Sequence, residues 1–220
     1  LQRKEGEAVH YCPNDEGCPP QIVGKMQHFI SRKAMNIEGL GHETIEAFYR
    51  RGFIEHISDL YLLHEKEDQL KEIERFGERS IRNMLEGIEK SKQMPFEKVL
   101  FGLGIRYVGE TVAKKIAAYF KDIDSLMNAS YDELISVDEI GERIAESIIE
   151  YFKEPRHKEQ IEALRIHGLQ FESVQNTIEL ASNKLEGKSF IISGVFEKYS
   201  RDELKDLIEA NGGKILSSIS

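Results

Sequence analysis

The sequence predicts a mainly α-helical protein: four helical hairpins in tandem, a cysteine-bearing segment before them and one β-α-β unit after them. The first observation is a repeat. An apolar residue, two variable residues, an apolar residue, Gly, three variable residues and an apolar or small residue recur four times. They fall at Ile37, Leu40, Gly41, Ile45; at Ile73, Phe76, Gly77, Ile81; at Ile105, Val108, Gly109, Ala113; and at Val137, Ile140, Gly141, Ala145. The glycines are 36, 32 and 32 residues apart, and near-equal steps of this length mark a repeated supersecondary unit. The second observation is helical periodicity on both sides of these glycines. The third is a change of character after Lys184, to short apolar runs bounded by glycines.

A glycine between two helical patterns permits positive φ and leaves space where the second helix begins. The N–H groups exposed there can hold a phosphate. Four such turns predict a surface that grips a nucleic-acid backbone.

Taken in order, Cys12 and Cys18 enclose PNDEG in a stretch rich in Pro and Gly. A tetrahedral zinc site needs four thiolate or imidazole ligands; here there are two cysteines, with His10 the nearest third candidate. Helix is expected from about Met26, with Met26, Phe29, Ile30 and Lys33 on one face, and again from His42 to Arg51. Asp59–Leu63 and Gln69–Ile73 read as short helices. Glu78–Gln93 reads as a long amphipathic one, with Ile81, Leu85 and Ile88 on its stripe. Pro95 suits the first turn of a helix that ends near Leu103. Glu110–Phe120, a short helix opened by a Ser130–Glu133 capping box, Glu142–Phe152 and His157–Ile166 complete the helical part. Ser173–Lys184 is polar and aperiodic, hence a linker. Ser189–Ser193 reads as a strand, Ser200 with Glu203 as a capping box opening a helix, and Lys214–Ser217 as a second strand. One such unit cannot cover both faces of a parallel sheet, so a longer domain is expected.

Of 220 residues, 40% are hydrophobic and 31% charged, the balance of a soluble globular protein. No run approaches the ~18 apolar residues of a membrane span, and no secretory signal pattern opens the chain. Two cysteines make no disulfide framework, so the cytoplasm is expected. The net charge of −9 argues against a nonspecific polycation but leaves backbone-amide binding of DNA open. Residues 128–174 hold 11 acids against 5 Lys and Arg, so much of the acidic excess is local and that side should turn away from DNA.

Four strings carry a family resemblance: EGEAVHYCPN with Cys18 close behind, HFISRKAMNIEGLG at 28–41, ERFGERSIRNMLEGIEKSK at 74–92 and FGLGIRYVGETVAKKIA at 101–117. In this order they resemble the C-terminal portion of bacterial NAD-dependent DNA ligases, over essentially the whole chain. The resemblance implies a fold that is mainly α: a tandem helix-hairpin-helix domain, preceded by a partial zinc module and followed by a truncated β-α-β (BRCT) unit. The domains expected are 1–25, half of a four-cysteine zinc module; 26–172, helix-hairpin-helix; 173–184, linker; and 185–220, the opening of a BRCT domain. Cys12 and Cys18 match the second zinc pair of that family; the first pair, a CxxC, is not in this sequence.

The resemblance further implies a parent enzyme that seals nicks in duplex DNA, moving AMP from NAD to a lysine and then to the 5′ phosphate with Mg²⁺. No K-x-D-G occurs here, so no catalytic residue and no adenylation are expected of this chain. What it implies is clamping of nicked double-stranded DNA without sequence reading, alongside the parent chain's N-terminal catalytic domains. The DNA-binding candidates are Gly39, Gly41, His42, Gly77, Arg79, Arg106, Gly109, Lys114, Gly141 and Arg143. In the wider hairpin consensus two glycines flank one apolar residue. Only Gly39-Leu40-Gly41 has both; Arg75, Tyr107 and Glu139 take the first place elsewhere. The fourth hairpin, with Asp138, Glu139 and Glu142 and only Arg143 in partial offset, is the weakest phosphate site.

Each feature has a plainer alternative. One apolar-x-x-apolar-Gly step is usually a helix cap, and two of the four hairpins can serve packing alone. Arg82 and Lys115, with the basic candidates above, are singly solvated charges; Tyr107 packs as readily as it stacks on a ribose; and Ser193-Gly194 is an ordinary strand-to-loop turn. Two rival functions stand: an accessory region of another repair protein, such as a nuclease or polymerase, and a protein-interaction module with no nucleic-acid role. The order of cysteines, hairpins and β-α-β unit favours the ligase reading over the first. Salt-dependent binding to nicked duplex separates it from the second.

Overall fold

The computed structural model describes residues 2–3, 10–14, 17–73, 76–173, 182–194, 196, 198–199 and 201–216. The chain divides into two compact units, 1–173 and 174–220.

The first unit opens with an antiparallel pair, β1 (Gln2–Arg3) and β2 (His10–Tyr11), followed by α1 (Pro19–Ile30). This helix starts well before the expected Met26. Pro19 and Pro20 occupy its first turn, where a fixed φ suits the helix and a missing N–H leaves no bond unmade. Val23, Met26, Phe29 and Ile30 then form its buried stripe.

Hairpin 1 joins α1 to α2 (His42–Arg50). Hairpin 2 joins a 3₁₀ helix (Ile57–Lys66) and α3 (Glu67–Lys71) to α4 (Glu78–Ser91). Hairpin 3 joins α5 (Phe96–Gly102) to α6 (Glu110–Phe120). A short α7 (Ile123–Met127) leads to α8 (Tyr131–Ser136), which hairpin 4 joins to α9 (Glu142–Lys153); α10 (Pro155–Ile166) closes the run. Helix α7 is not among the elements the sequence predicts. Asp122 makes it possible by accepting hydrogen bonds from the Ser125 N–H at 2.7 Å and the Ser125 hydroxyl at 2.8 Å.

The apolar residue on each side of the hairpin glycines is what holds the unit together. Ile37, Leu40 and Ile45, Ile105, Val108 and Ala113, and Val137, Ile140 and Ala145 are all buried in one core with Phe29, Phe48 and Phe96. Ser91 is the one buried polar residue among those described. Its hydroxyl donates to the Ile88 carbonyl at 2.6 Å, which leaves the Tyr61 hydroxyl, 3.0 Å away, to donate to Ser91.

The hairpins pack as two pairs. In the first pair the turn of hairpin 1 lies on α4. A Cβ placed on Gly87 comes within 2.1 Å of the Glu38 carbonyl oxygen, and one on Gly39 within 2.9 Å of the Met84 backbone. In the second pair Ser147 of α9 donates to the Arg106 carbonyl at 2.8 Å, and Lys115 of α6 reaches Asp138 and Glu139 at 2.7 and 2.9 Å. The end of the unit is tied back. Ile123 N–H donates to Phe171 O at 2.9 Å, Ser173 Oγ to Ala117 O at 2.9 Å, and Arg165 binds both oxygens of Asp124 at 2.9 and 3.0 Å. Ser173, expected as the first linker residue, is therefore anchored to α6. Of the linker, residues 174–181 lie outside the described residues.

In the second unit β3 (Ser189–Phe190) runs parallel to β4 (Lys214–Ile215), with α11 (Arg201–Ala210) as the crossover. The sequence predicts strand over all of Ser189–Ser193; the ladder takes only its first two residues. The Ser200–Glu203 capping box lies outside the described residues. Asn211 closes the helix, donating to Leu207 O at 2.7 Å, and Gly213 admits Ile208 and Phe190, whose carbons would stand 2.6 and 3.0 Å from a Cβ there. Ile191, Leu207 and Leu216 are exposed.

Candidate nucleic-acid interface

Gly41, Gly77, Gly109 and Gly141 are the N-cap residues of α2, α4, α6 and α9. Their conformation corrects the expectation of positive φ. Their φ values are −92°, −77°, −78° and −91°, open to any residue. The left-handed residue sits two positions earlier, at the tip of the turn: Gly39 at +79°, Tyr107 at +65° and Glu139 at +65°. Arg75, the equivalent in hairpin 2, lies outside the described residues. Gly39 is thus explained by the fold, through both its φ and its contact with α4. The four N-cap glycines are not. A Cβ at any of them meets nothing within 4 Å.

The caps differ as well. Asp122 and Ser130, which open α7 and α8, each accept a hydrogen bond from the first turn of their helix. None of the four hairpin helices has a side-chain cap hydrogen bond. Their first-turn N–H groups carry the positive end of the helix dipole and are not covered by a cap. Each first turn also carries one carboxylate: Glu43, Glu78, Glu110 and Glu142. At hairpin 3 that charge is answered, because Lys98 pairs with Glu110 at 2.5 Å and holds its carboxyl below the usual range.

The basic candidates divide by environment. His42, Arg79, Arg82, Lys114 and Arg143 are exposed. Arg106 is half-buried, with its guanidinium 4.8 Å from the centre of the Tyr107 ring. Lys115 is engaged by Asp138 and Glu139, and those hydrogen bonds raise its pKa and lower that of Asp138. Sequence reasoning missed Lys98 and the Lys115 pairings, since partners 12 or more residues apart carry no local signal.

A cleft of about 1200 Å³, also unforeseen, opens between the α1–α2 helices and α9–α10, lined among others by Arg50, His56, Arg106, Ser147, Tyr151 and His157. Tyr151 stacks on His157, with ring centres 3.7 Å apart and an angle of 6°. The buried Tyr151 hydroxyl has no hydrogen-bond partner among the described residues, and its pKa is pushed up by desolvation.

Cys12 and Cys18 are free thiols, both half-buried. Gln21 donates to the Cys12 carbonyl at 3.1 Å. Among the described residues no three His, Cys, Asp or Glu side chains converge; the His10 side chain is outside that set. Two thiols supply half of a tetrahedral zinc site, so the described residues do not by themselves fit the ion. Among the described residues, no helix is long and apolar enough to cross a membrane.

Residues 98–161 match the family model of the helix-hairpin-helix motif, and residues 180–220 that of the BRCA1 C-terminus (BRCT) domain. Over all 220 residues the chain is 56% identical to a DNA ligase of Phocaeicola vulgatus, 55% to one of Flavobacterium johnsoniae and 54% to one of Bacteroides fragilis. The similarity to these DNA ligases runs from end to end of the chain. It spans about a third of the length of these ligases, 33% in each case. The helix-hairpin-helix match covers hairpins 3 and 4, and the BRCT match covers the β-α-β unit.

Proposed function

We propose that this chain is the DNA-clamping part of an NAD-dependent DNA ligase, and that hairpins 1, 2 and 3 hold the backbone of nicked duplex DNA. One observation carries the reading. Gly41, Gly77 and Gly109 stand where neither φ nor packing asks for glycine, at helix starts left without side-chain caps. A glycine there makes sense if something outside the chain must come close to the backbone. A phosphate accepting first-turn N–H bonds meets that description. His42 and Arg79 lie beside the turns and Lys114 on α6; Arg79 and Lys114 add positive charge at short range, and the His42 ring adds a polar contact. Backbone contacts of this kind read no sequence, which suits an enzyme that acts at any nick.

In this reading the parent's nick-sealing chemistry, with NAD and Mg²⁺, belongs to catalytic domains elsewhere in the parent chain; the present residues bind and orient the duplex. Cys12 and Cys18 act as two of four zinc ligands, with the other two supplied by the parent. The protein works in the cytoplasm, in replication and repair.

The test is titration of fluorescently labelled nicked duplex with the wild type and with Gly41→Val and Gly109→Val. The wild type binds with affinity that falls steeply with salt; each variant keeps its helicity and binds at least about fivefold more weakly. Unchanged affinity in both variants contradicts the reading.

A further inference from the structure

Hairpin 4 has the same N-cap glycine as the other three, with the same open space around it, yet its tip carries different chemistry. At the two tip positions before the apolar residue and the N-cap Gly, the sequence has Glu38-Gly39 in hairpin 1, Glu74-Arg75 in hairpin 2, Arg106-Tyr107 in hairpin 3 and Asp138-Glu139 in hairpin 4. Only hairpin 4 puts two carboxylates there. Both bind one cation, Lys115 of α6, at 2.7 and 2.9 Å. The equivalent step after the N-cap Gly is Ala47 in hairpin 1, Asn83 in hairpin 2 and Ser147 in hairpin 4, so a lysine at that step is peculiar to the second pair.

Exposure decides what an approaching polyanion meets. The Lys115 side chain is 29% exposed, against 88% for Asp138 and 57% for Glu139. The cation lies beneath its acids. The first turn of α9 adds exposed Glu142, which exposed Arg143 beside it offsets, so the two tip carboxylates set the sign of the charge at this turn.

We propose that hairpin 4 does not hold DNA: Asp138 and Glu139 keep Lys115 as an internal counter-ion and present an acidic tip that turns the phosphate backbone away, so that the duplex is seated on hairpins 1, 2 and 3. This deepens the DNA-binding reading and rests on it. Hairpin 4 then has a supporting task. Its helix α9 holds the turn of hairpin 3 through the Ser147–Arg106 hydrogen bond. The carboxylates also give the site a direction, since a duplex shifted toward α8–α9 meets repulsion, which orients it on the other three turns.

The experiment uses the full chain and a labelled nicked duplex at several salt concentrations, with thermal melting to check folding. Asp138→Asn combined with Glu139→Gln uncovers Lys115 and removes two negative charges. It is expected to tighten binding about three- to tenfold at low salt and to steepen the salt dependence by about one phosphate contact. Gly141→Val is expected to leave affinity within about twofold, while Gly109→Val weakens it at least about fivefold. If Gly141→Val unfolds, Gly141→Ala is read in its place. Equal weakening by the Gly141 and Gly109 variants overturns the proposal and leaves the DNA reading standing. So does a charge variant with unchanged or weaker affinity and the same salt slope. A wild type that does not bind duplex overturns both.

Discussion

The two hairpin pairs share a plan and are closed by different chemistry. In the first pair α4 meets the turn of hairpin 1 backbone to backbone, and Gly87 is what permits it. Gly87 is ten residues after Gly77; ten residues after Gly141 stands Tyr151. With a ring in that place, the second pair meets through side chains: the Ser147 hydroxyl on the Arg106 carbonyl is the joint, and Lys115 sets the charge by pairing with the acidic tip of hairpin 4. Tyr151 stacks on His157 and flanks the cleft that also reaches Arg106. The repeat keeps only the apolar frame and the uncapped N-terminal glycine. The joint within each pair is free to vary, and with it the charge each pair shows to a ligand.

The largest effect is expected at the glycine joint. Gly87→Val sets carbon against the Glu38 carbonyl, in a place where backbone must move. A loss of about 3 kcal/mol or more is expected in urea unfolding. A loss under about 1 kcal/mol means the first pair is not closed there. Ser147→Ala breaks the hydroxyl joint of the second pair and is expected to cost about 1 kcal/mol, by the same measurement. If it costs nothing, the second pair is held by its apolar core alone.

Asp122→Ala removes the cap of α7 in the same pair and is expected to cost about 1 kcal/mol. The bonds from Ser125 hold the Asp122 carboxyl below its usual pKa. Its stabilising effect is therefore complete above the usual carboxylate range and fades as pH falls through the lowered value. The wild-type and Asp122→Ala unfolding curves should converge at low pH; a gap that widens there contradicts the assignment. The smallest effect is at Lys115. Its two acids are solvent-exposed, so Lys115→Met is expected to leave the melting temperature unchanged. A clear fall would make the ion cluster a structural joint rather than an electrostatic one.

Much of the architecture was legible because the repeat is written in apolar residues, which also form the core: Ile37, Leu40, Ile105, Val108, Val137 and Ile140 are all buried. The sign of φ at the turns was not legible. The left-handed tip is occupied by Gly39 but also by Tyr107 and Glu139, residue types that do not advertise it. Helix α7 spans five residues, too few for periodicity, and only its Asp122–Ser125 cap could have marked it. The early start of α1 was hidden by a Pro-Pro pair that reads as loop until it is placed in a first turn. At the candidate interface, the pattern put the glycines at helix starts, where they stand as N-caps, but the surroundings of each charge were not legible. Lys114 and Lys115 are adjacent in sequence; one is exposed and the other bound to two acids from another hairpin, a distinction set by packing alone.

Contact between DNA and the open N-terminal amides of the hairpin helices is observed directly by backbone amide NMR during titration with nicked duplex. The largest shift changes are expected at residues 41–43, 77–79 and 109–111, with small changes at 141–143 and none at the capped starts of α7 and α8. Saturable binding with no change at the first three segments would contradict the account.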